Sequence, residues 1–157
     1  MYMNTLTKFI YSFLDSGSYF KVKFIDDVTT KIPSKSDPGC AGYDICSSEF
    51  VFIPKNSRRL ISTGMCVEIP SYYYIRVAPR SSMAVKGIDV GAGVIDSSYR
   101  GEVKILLINT TDEDYIINKG DKIAQLIMER CSNAKVILTD TLTVTERGLK
   151  GFGSSGR

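Results

Sequence analysis

An all-β domain of the jelly-roll or small-barrel kind is predicted by three features of the sequence. Short apolar runs recur roughly every ten residues, Pro/Gly/Asp turn signals separate them, and no long segment carries a 3.6-residue apolar period. The 157 residues suffice for one domain with a core that needs no metal or disulfide staple.

In chain order, KVKFID (Lys21 to Asp26) alternates as a strand, and the Pro/Gly/Ser loop IPSKSDPG (Ile32 to Gly39) leads into AGYDICSS. EFVFIP (Glu49 to Pro54), RRLIST (Arg58 to Thr63), MCVEIP (Met65 to Pro70) and YYYIRV (Tyr72 to Val77) read as four further strands. Helix is expected only as a turn or two near Ser81 to Val85. The stretch GAGVIDSSYRG (Gly91 to Gly101), lying between IRV and VKILLI, reads as a hairpin presenting Asp96 and Tyr99 at its tip. DYIINK (Asp114 to Lys119), KIAQLIM (Lys122 to Met128) and KVILTD (Lys135 to Asp140) complete the strands. After Thr145 the composition changes to ERGLKGFGSSGR. The domain therefore divides into an N-terminal extension (1–20), a β-barrel (21–144) and a C-terminal arm (145–157).

Composition excludes several functions. Lys and Arg number 20 against 17 Asp and Glu, with no basic block, so direct nucleic-acid binding is not expected. Histidine is absent, which removes Ser-His and Cys-His nucleophile pairs and leaves Asp or Glu as the natural general base. Cys40, Cys46, Cys66 and Cys131 lack metal-ligand spacing and read as small buried residues in a reducing compartment. The run FIYSFL (Phe9 to Leu14) is too short for a signal core, and nothing approaches a membrane span. A soluble, intracellular protein, cytoplasmic or nuclear, is expected.

Five stretches carry candidate chemistry. Asp44 follows Gly42 at a loop-to-strand junction, where it serves either the turn or a site. APRSSMA sets Arg80 beside Ser81 and Ser82, a guanidinium and hydroxyls suited to phosphate, or simply a solvated strand end. Gln125 is an amide inside an apolar strand, so it is satisfied structurally or aimed into a polar site. Gly91 and Gly93 allow close backbone approach beside Asp96. GFGSSG (Gly151 to Gly156) has the G-x-G-x-x-G form but opens no helix, so it is no dinucleotide fingerprint. It is either a disordered tail or an arm whose Phe152 stacks on a base while Arg147, Ser154 and Ser155 bind phosphate.

AGYDI, APRSSMA, GAGVIDSSYRGEV, KGDKIAQLI and RGLKGFGSSG resemble, in order, the five motifs of the trimeric deoxyuridine triphosphatase (dUTPase) family. The resemblance implies a homotrimer of jelly-roll-like barrels with a mobile C-terminal arm and three sites, each drawing residues from all three subunits. It implies Mg²⁺-assisted hydrolysis of dUTP to dUMP and pyrophosphate by water attacking the α-phosphorus, which limits uracil in DNA and supplies dUMP for dTMP synthesis. By the same resemblance Asp96 activates the water, Gln125 helps position it beside the phosphates, and Asp44 holds Mg²⁺ through water. Arg80, Ser81 and Ser82 bind phosphate. The backbone of Gly93, Val94 and Ile95, with that near Lys104, reads uracil, and Tyr99 packs under the deoxyribose. Phe152, with Gly153, stacks on the base, while Arg147, Ser154 and Ser155 reach the terminal phosphate. Ser82, Ser155, Leu149-Lys150 and the first twenty residues depart from the family pattern. Two rivals share parts of this reading: a dCTP deaminase, which the Asp96-to-Tyr99 stretch and the closing arm resemble less, and a non-enzymatic nucleotide-binding trimer.

Overall fold

The computed structural model describes residues 19–25 and 31–151. Phe152, Gly153, Ser154 and Ser155 lie outside the described residues, as does most of the N-terminal extension. Ten strands and one short helix follow in order: β1 Lys21–Phe24, β2 Tyr43–Cys46, β3 Val51–Ile53, β4 Ser57–Glu68 and β5 Tyr73–Ala78, then α1 Ser81–Ala84. They continue with β6 Ile88–Gly91, β7 Val94–Ile95, β8 Glu102–Asn109, β9 Tyr115–Ile117 and β10 Lys122–Arg130. One sheet has the order β1-β4-β8-β6 and a second β2-β10-β5-β7, with β3 and β9 forming a small ribbon, and every pairing is antiparallel. This is the all-β, jelly-roll-like architecture that the strand spacing predicts, and among the described residues the one helical turn lies at the expected place.

Alternation explains how the sheets close on one another. Along β8, Val103, Ile105, Leu107 and Asn109 turn inward, as a period of two requires. They meet Ile45, Ile75, Ile123 and Leu126 of the other sheet, with Ile61 and Met65 from β4, in one continuous apolar core. Asn109 is the polar member of that inner row, only 1% exposed. Its amide donates to the carbonyls of Ile53 (3.3 Å), Pro54 (3.2 Å) and Glu113 (2.8 Å). Its oxygen accepts from the Thr111 N–H (3.0 Å) and hydroxyl (2.8 Å). One buried side chain thus ties the β3–β4 turn to the β8–β9 loop.

Four expectations from the sequence are corrected. RRLIST and MCVEIP are one twelve-residue strand, bent where the β4–β8 register shifts between Ser62 and Cys66. Gly64 takes a positive φ of 68° there, its N–H donating to the Glu102 carboxylate at 3.0 Å. The Gly91–Gly101 stretch is no simple hairpin between IRV and VKILLI: β6 pairs with β8 in one sheet, β7 pairs with β5 in the other, and the chain then returns to β8. KVILTD forms no strand. An apolar run gives a segment the side chains of a strand, but a strand needs a pairing neighbour, and among the described residues nothing pairs with 132–151, which lie exposed. Only Cys46 is buried; Cys40 and Cys66 are half-buried, Cys131 is exposed, and all four are free thiols. Among the described residues no helix is long and apolar enough to cross a membrane.

The Asn109 network carries a measurable consequence. Asn109→Ala takes one donor from the buried Ile53 carbonyl and from the part-buried Pro54 and Glu113 carbonyls, which keep the Ser57 and Thr111 hydroxyls, and each buried loss costs about 1–3 kcal/mol when water cannot fully replace it. The urea midpoint at fixed protein concentration should fall by the equivalent of about 2–4 kcal/mol with the slope unchanged. A loss below about 0.5 kcal/mol would show that the network does not hold these turns.

Candidate functional site

The sheet-to-sheet crossing builds a cleft. At Gly93 the backbones of β5 and the crossing approach closely, with Val77 N–H donating to the Gly93 carbonyl at 2.8 Å. A Cβ on Gly93 would lie 2.8 Å from the Val77 carbonyl oxygen, a backbone atom that cannot move aside, so only glycine fits. Ala92, just before it, takes a positive φ of 49°, a conformation costly for a residue with a Cβ and tolerated because the surrounding pairings fix it. Beyond Gly93, Ile95 is buried as an anchor while Val94 is 64% exposed on the open side.

The return arm is a turn. Tyr99 N–H donates to the Asp96 carbonyl at 3.1 Å, and the Arg100 guanidinium donates to the carbonyls of Ser97 (2.7 Å) and Tyr99 (2.8 Å). The Tyr99 hydroxyl donates to the Glu102 carbonyl at 2.9 Å. Its ring lies over Gly101, where a Cβ would come within 2.5 Å of the phenol oxygen. Tyr99 is therefore held flat with 45% of its surface open. The resulting cleft, about 300 Å³, is lined by Leu60, Val77, Val94, Asp96, Tyr99 and Lys104 among others. It has an apolar wall, an aromatic platform and one exposed carboxylate on its rim, features of a small-molecule site.

A second cluster forms where β2, β10 and the end of β5 converge. Asp44 is pinned through its backbone, exchanging hydrogen bonds with Ser34 (2.9 and 3.3 Å) while standing opposite Gln125 on β10. Its carboxylate accepts from Lys122 Nζ at 2.7 Å, Ser36 Oγ at 3.0 Å and Arg80 Nε at 3.1 Å. Burial pushes the Asp44 carboxyl up. The hydrogen bonds from Lys122 and Ser36 and the charges of Arg80 and Lys122 outweigh it and hold the group below the ordinary carboxylate range. Gln125 is half-buried and donates to the Pro79 carbonyl at 3.0 Å. Gly42 is needed beside it, because a Cβ there would sit 2.5 Å from the Gln125 amide oxygen. The amide is thus held by the fold, on a strand position opposite Asp44.

Ser81 and Ser82 occupy the exposed first turn of α1, beside Arg80. Four residues give no useful helix dipole, so what this turn offers an anion is two hydroxyls and first-turn N–H groups next to a guanidinium. A hollow of about 280 Å³ adjoins it, lined by Arg80, Ser82, Lys86, Tyr115, Asp121 and Lys122 among others.

The structure therefore gathers the sequence candidates into two groups. Val94, Ile95, Asp96, Tyr99 and Lys104 line the cleft, with Gly93 in the backbone between its lining residues Ala92 and Val94, and Asp44, Arg80, Ser81, Ser82 and Gln125 gather at the charged cluster. Both abut β5, yet they share no lining residue, and among the described residues no hydrogen bond joins them. Arg147 joins neither; its guanidinium donates to the Lys150 carbonyl at 3.0 Å within the exposed tail. Lys122 and Ser36 are partners of Asp44 that the sequence reading assigned no part. The lysine stands in KGDKIAQLI, but its spacing of three from Gln125 gives no sign that both face one site.

The family model described as dUTPase matches residues 29–156. The deoxyuridine 5'-triphosphate nucleotidohydrolase of Paramecium bursaria Chlorella virus 1 is 51% identical over 135 residues, covering 85% of this chain and 94% of that protein. The enzyme of the same name from Candida albicans is 46% identical over 147 residues, covering 92% of each. Among solved structures, Staphylococcus bacteriophage 80alpha dUTPase with dUPNHPP superposes with a TM-score of 0.83 at 28% identity, covering 88% of this chain and 99% of that one. A family match over most of the length, joined to the same all-β architecture, leads to one conclusion: the chain belongs to the dUTPase family.

Proposed function

We propose that this chain hydrolyses dUTP to dUMP and pyrophosphate. The observation that carries the reading is the cleft of the sheet crossing, with the flat Tyr99 platform on one side and the Asp96 carboxylate on its rim. The narrow approach at Gly93 leaves main-chain groups of Gly93, Val94 and Ile95, and those near Lys104, to read the edge of a pyrimidine. Tyr99 packs under the sugar and leaves no space for a 2′-hydroxyl. Asp96, with no histidine anywhere in the chain to take its place, accepts the proton of the attacking water. Arg80, Ser81 and Ser82 bind the phosphates through charge-assisted bonds, with Gln125 orienting the water.

The same geometry supports a proposal for the assembly. Base and sugar fit one cluster of residues and phosphates the other, and within one chain the two share no lining residue. A homotrimer in which the cleft of one subunit faces the charged cluster of the next would complete each site. The tail supports this: Leu138 is 97% and Val144 98% exposed, apolar surface that a second copy would cover. Its end, with Phe152, Gly153, Ser154 and Ser155 beyond Arg147, is then the arm that closes over base and terminal phosphate.

Magnesium fits the donor set in one way. Among the described residues no group of three acidic or thiol side chains is placed to hold a metal, and Asp44 is a single carboxylate already facing two cations. Such a site suits a Mg²⁺ ion that keeps most of its water shell and rests on phosphate oxygens, with Asp44 touching it through water. When bound, the ion neutralises charge on the phosphates. Orientation of the nucleotide and removal of the proton belong to the protein.

Pyrophosphate release should be measured from dUTP, dCTP, dTTP and UTP. Only dUTP should turn over well, and Asp96→Asn should retain nucleotide binding while lowering turnover roughly 10²- to 10⁴-fold. Near-normal turnover in the variant would remove Asp96 from the chemistry, and ammonia release from dCTP would replace the reaction altogether.

The depressed Asp44 carboxyl makes a separate pH prediction. A group whose folded value lies below its unfolded one stabilises the fold above the ordinary aspartate range and loses that contribution as pH falls through the folded value. Asp44→Asn should thus destabilise the fold by about 1–2 kcal/mol at pH 7. The gap between variant and wild type should shrink as pH drops below about 4. Urea denaturation across pH 7 to 3 reads both curves, and a gap that stays constant would mean that the charge of Asp44 contributes nothing.

A further inference from the structure

The geometry points to Lys122 as a positioning residue for the phosphate end of the site: its ammonium holds Asp44 so that Arg80 can turn toward the triphosphate. The inference rests on the dUTP-hydrolysing reading above and adds to it a residue which that reading leaves without a role.

Its starting point is the register of β10 on β2. Gln125 stands opposite Asp44, Ala124 opposite Ile45, and Lys122 opposite Cys46. Two residues advance on β10 for one on β2, which is a β-bulge. In an unbroken ladder, residues three apart point to opposite faces, so Lys122 and Gln125 would be divided by the sheet. The extra residue turns Lys122 onto the face that carries Asp44. Its ammonium lies 2.7 Å from Asp44 Oδ2 and 3.4 Å from Ser36 Oγ.

Lys122 also reaches Arg80, by a different group. The Arg80 Nε donates to Asp44 Oδ1 at 3.1 Å, and its NH1 donates to the Lys122 carbonyl at 3.3 Å. A guanidinium has five N–H donors, so these two contacts fix its plane and leave others for an anion. The Asp44 side chain, only 13% exposed, has two cationic partners and one hydroxyl. When phosphate draws Arg80 away, Lys122 and Ser36 still satisfy the carboxylate. Without Lys122, Asp44 would keep Arg80 as its one cation and compete with the triphosphate for it. Lys122 thereby acts on phosphate binding through Asp44 and Arg80 and touches no reacting atom.

The test compares Lys122→Met and Lys122→Arg in the full chain, using dUTP turnover and competitive inhibition by deoxyuridine, which carries no phosphate. Lys122→Met should raise KM for dUTP about tenfold, hold kcat within about threefold, and change deoxyuridine inhibition less than about twofold. Lys122→Arg, which keeps the cation, should bring KM back to within about threefold of wild type. A merely structural lysine would weaken dUTP and deoxyuridine together, and that result, an unmoved KM in Lys122→Met, or failure of Lys122→Arg to restore it would overturn the inference while wild type stays active. A wild-type chain inert toward dUTP would overturn the underlying reading as well.

Discussion

The approach of two backbones at Val77 and Gly93 is the constraint on which the site depends. It lets the chain leave the β1-β4-β8-β6 sheet, touch the other sheet for the two residues of β7, and return to β8. The crossing holds Ala92 in a conformation that a side chain resists, seats Ile95 in the core and throws Asp96 and Tyr99 outward on the return turn. A larger residue at Gly93 would meet a carbonyl of β5, so the cleft and the sheet pairing beneath it are built by one contact. Precision comes here from strands on both sides, a firmer support than a free loop provides.

That construction leaves two distinct environments on one chain. The cleft has an apolar wall and an aromatic floor suited to a base and sugar, while the cations collect around Asp44, where β2, β10 and Arg80 meet. Charge placed there is largely compensated within the protein. Asp44 faces Arg80 and Lys122, so under the proposed function an incoming phosphate would exchange partners with an existing network and would not meet bare cations. A nucleotide triphosphate needs both environments, and the proposed assembly brings them together between copies.

Much of this was legible in the sequence, and the failures have physical causes. Five motifs in order gave the family, and alternating runs gave the strands, because a period of two reports burial on one face. Whether GAGVIDSSYRG turns back as a hairpin or crosses between sheets is a matter of which partner each half finds, and local pattern is silent on partners. RRLIST and MCVEIP read as two strands because Gly64 looks like a turn, whereas the Glu102 carboxylate caps its N–H and keeps the strand continuous through the bend. KVILTD has the apolar run of a strand but no pairing strand among the described residues. Lys122 stayed hidden because one bulge reverses the face to which it points. Asn109, a single polar residue ending an apolar strand, drew no notice although five hydrogen bonds meet on it.

The central claim is that a site is completed between copies, with the carboxylate of one chain working beside the arm of another. It is tested most directly by mixing two inactive subunits, Asp96→Asn with a full arm and a wild-type barrel truncated after Glu146. The two are unfolded and refolded together in equal amounts, with exchange verified by mass. Random assembly draws carboxylate and arm independently, so about one site in four should hold both, and activity should return to about a quarter of wild type. A mixture that remains as inactive as its parents would show that both come from the same chain and would contradict the shared site.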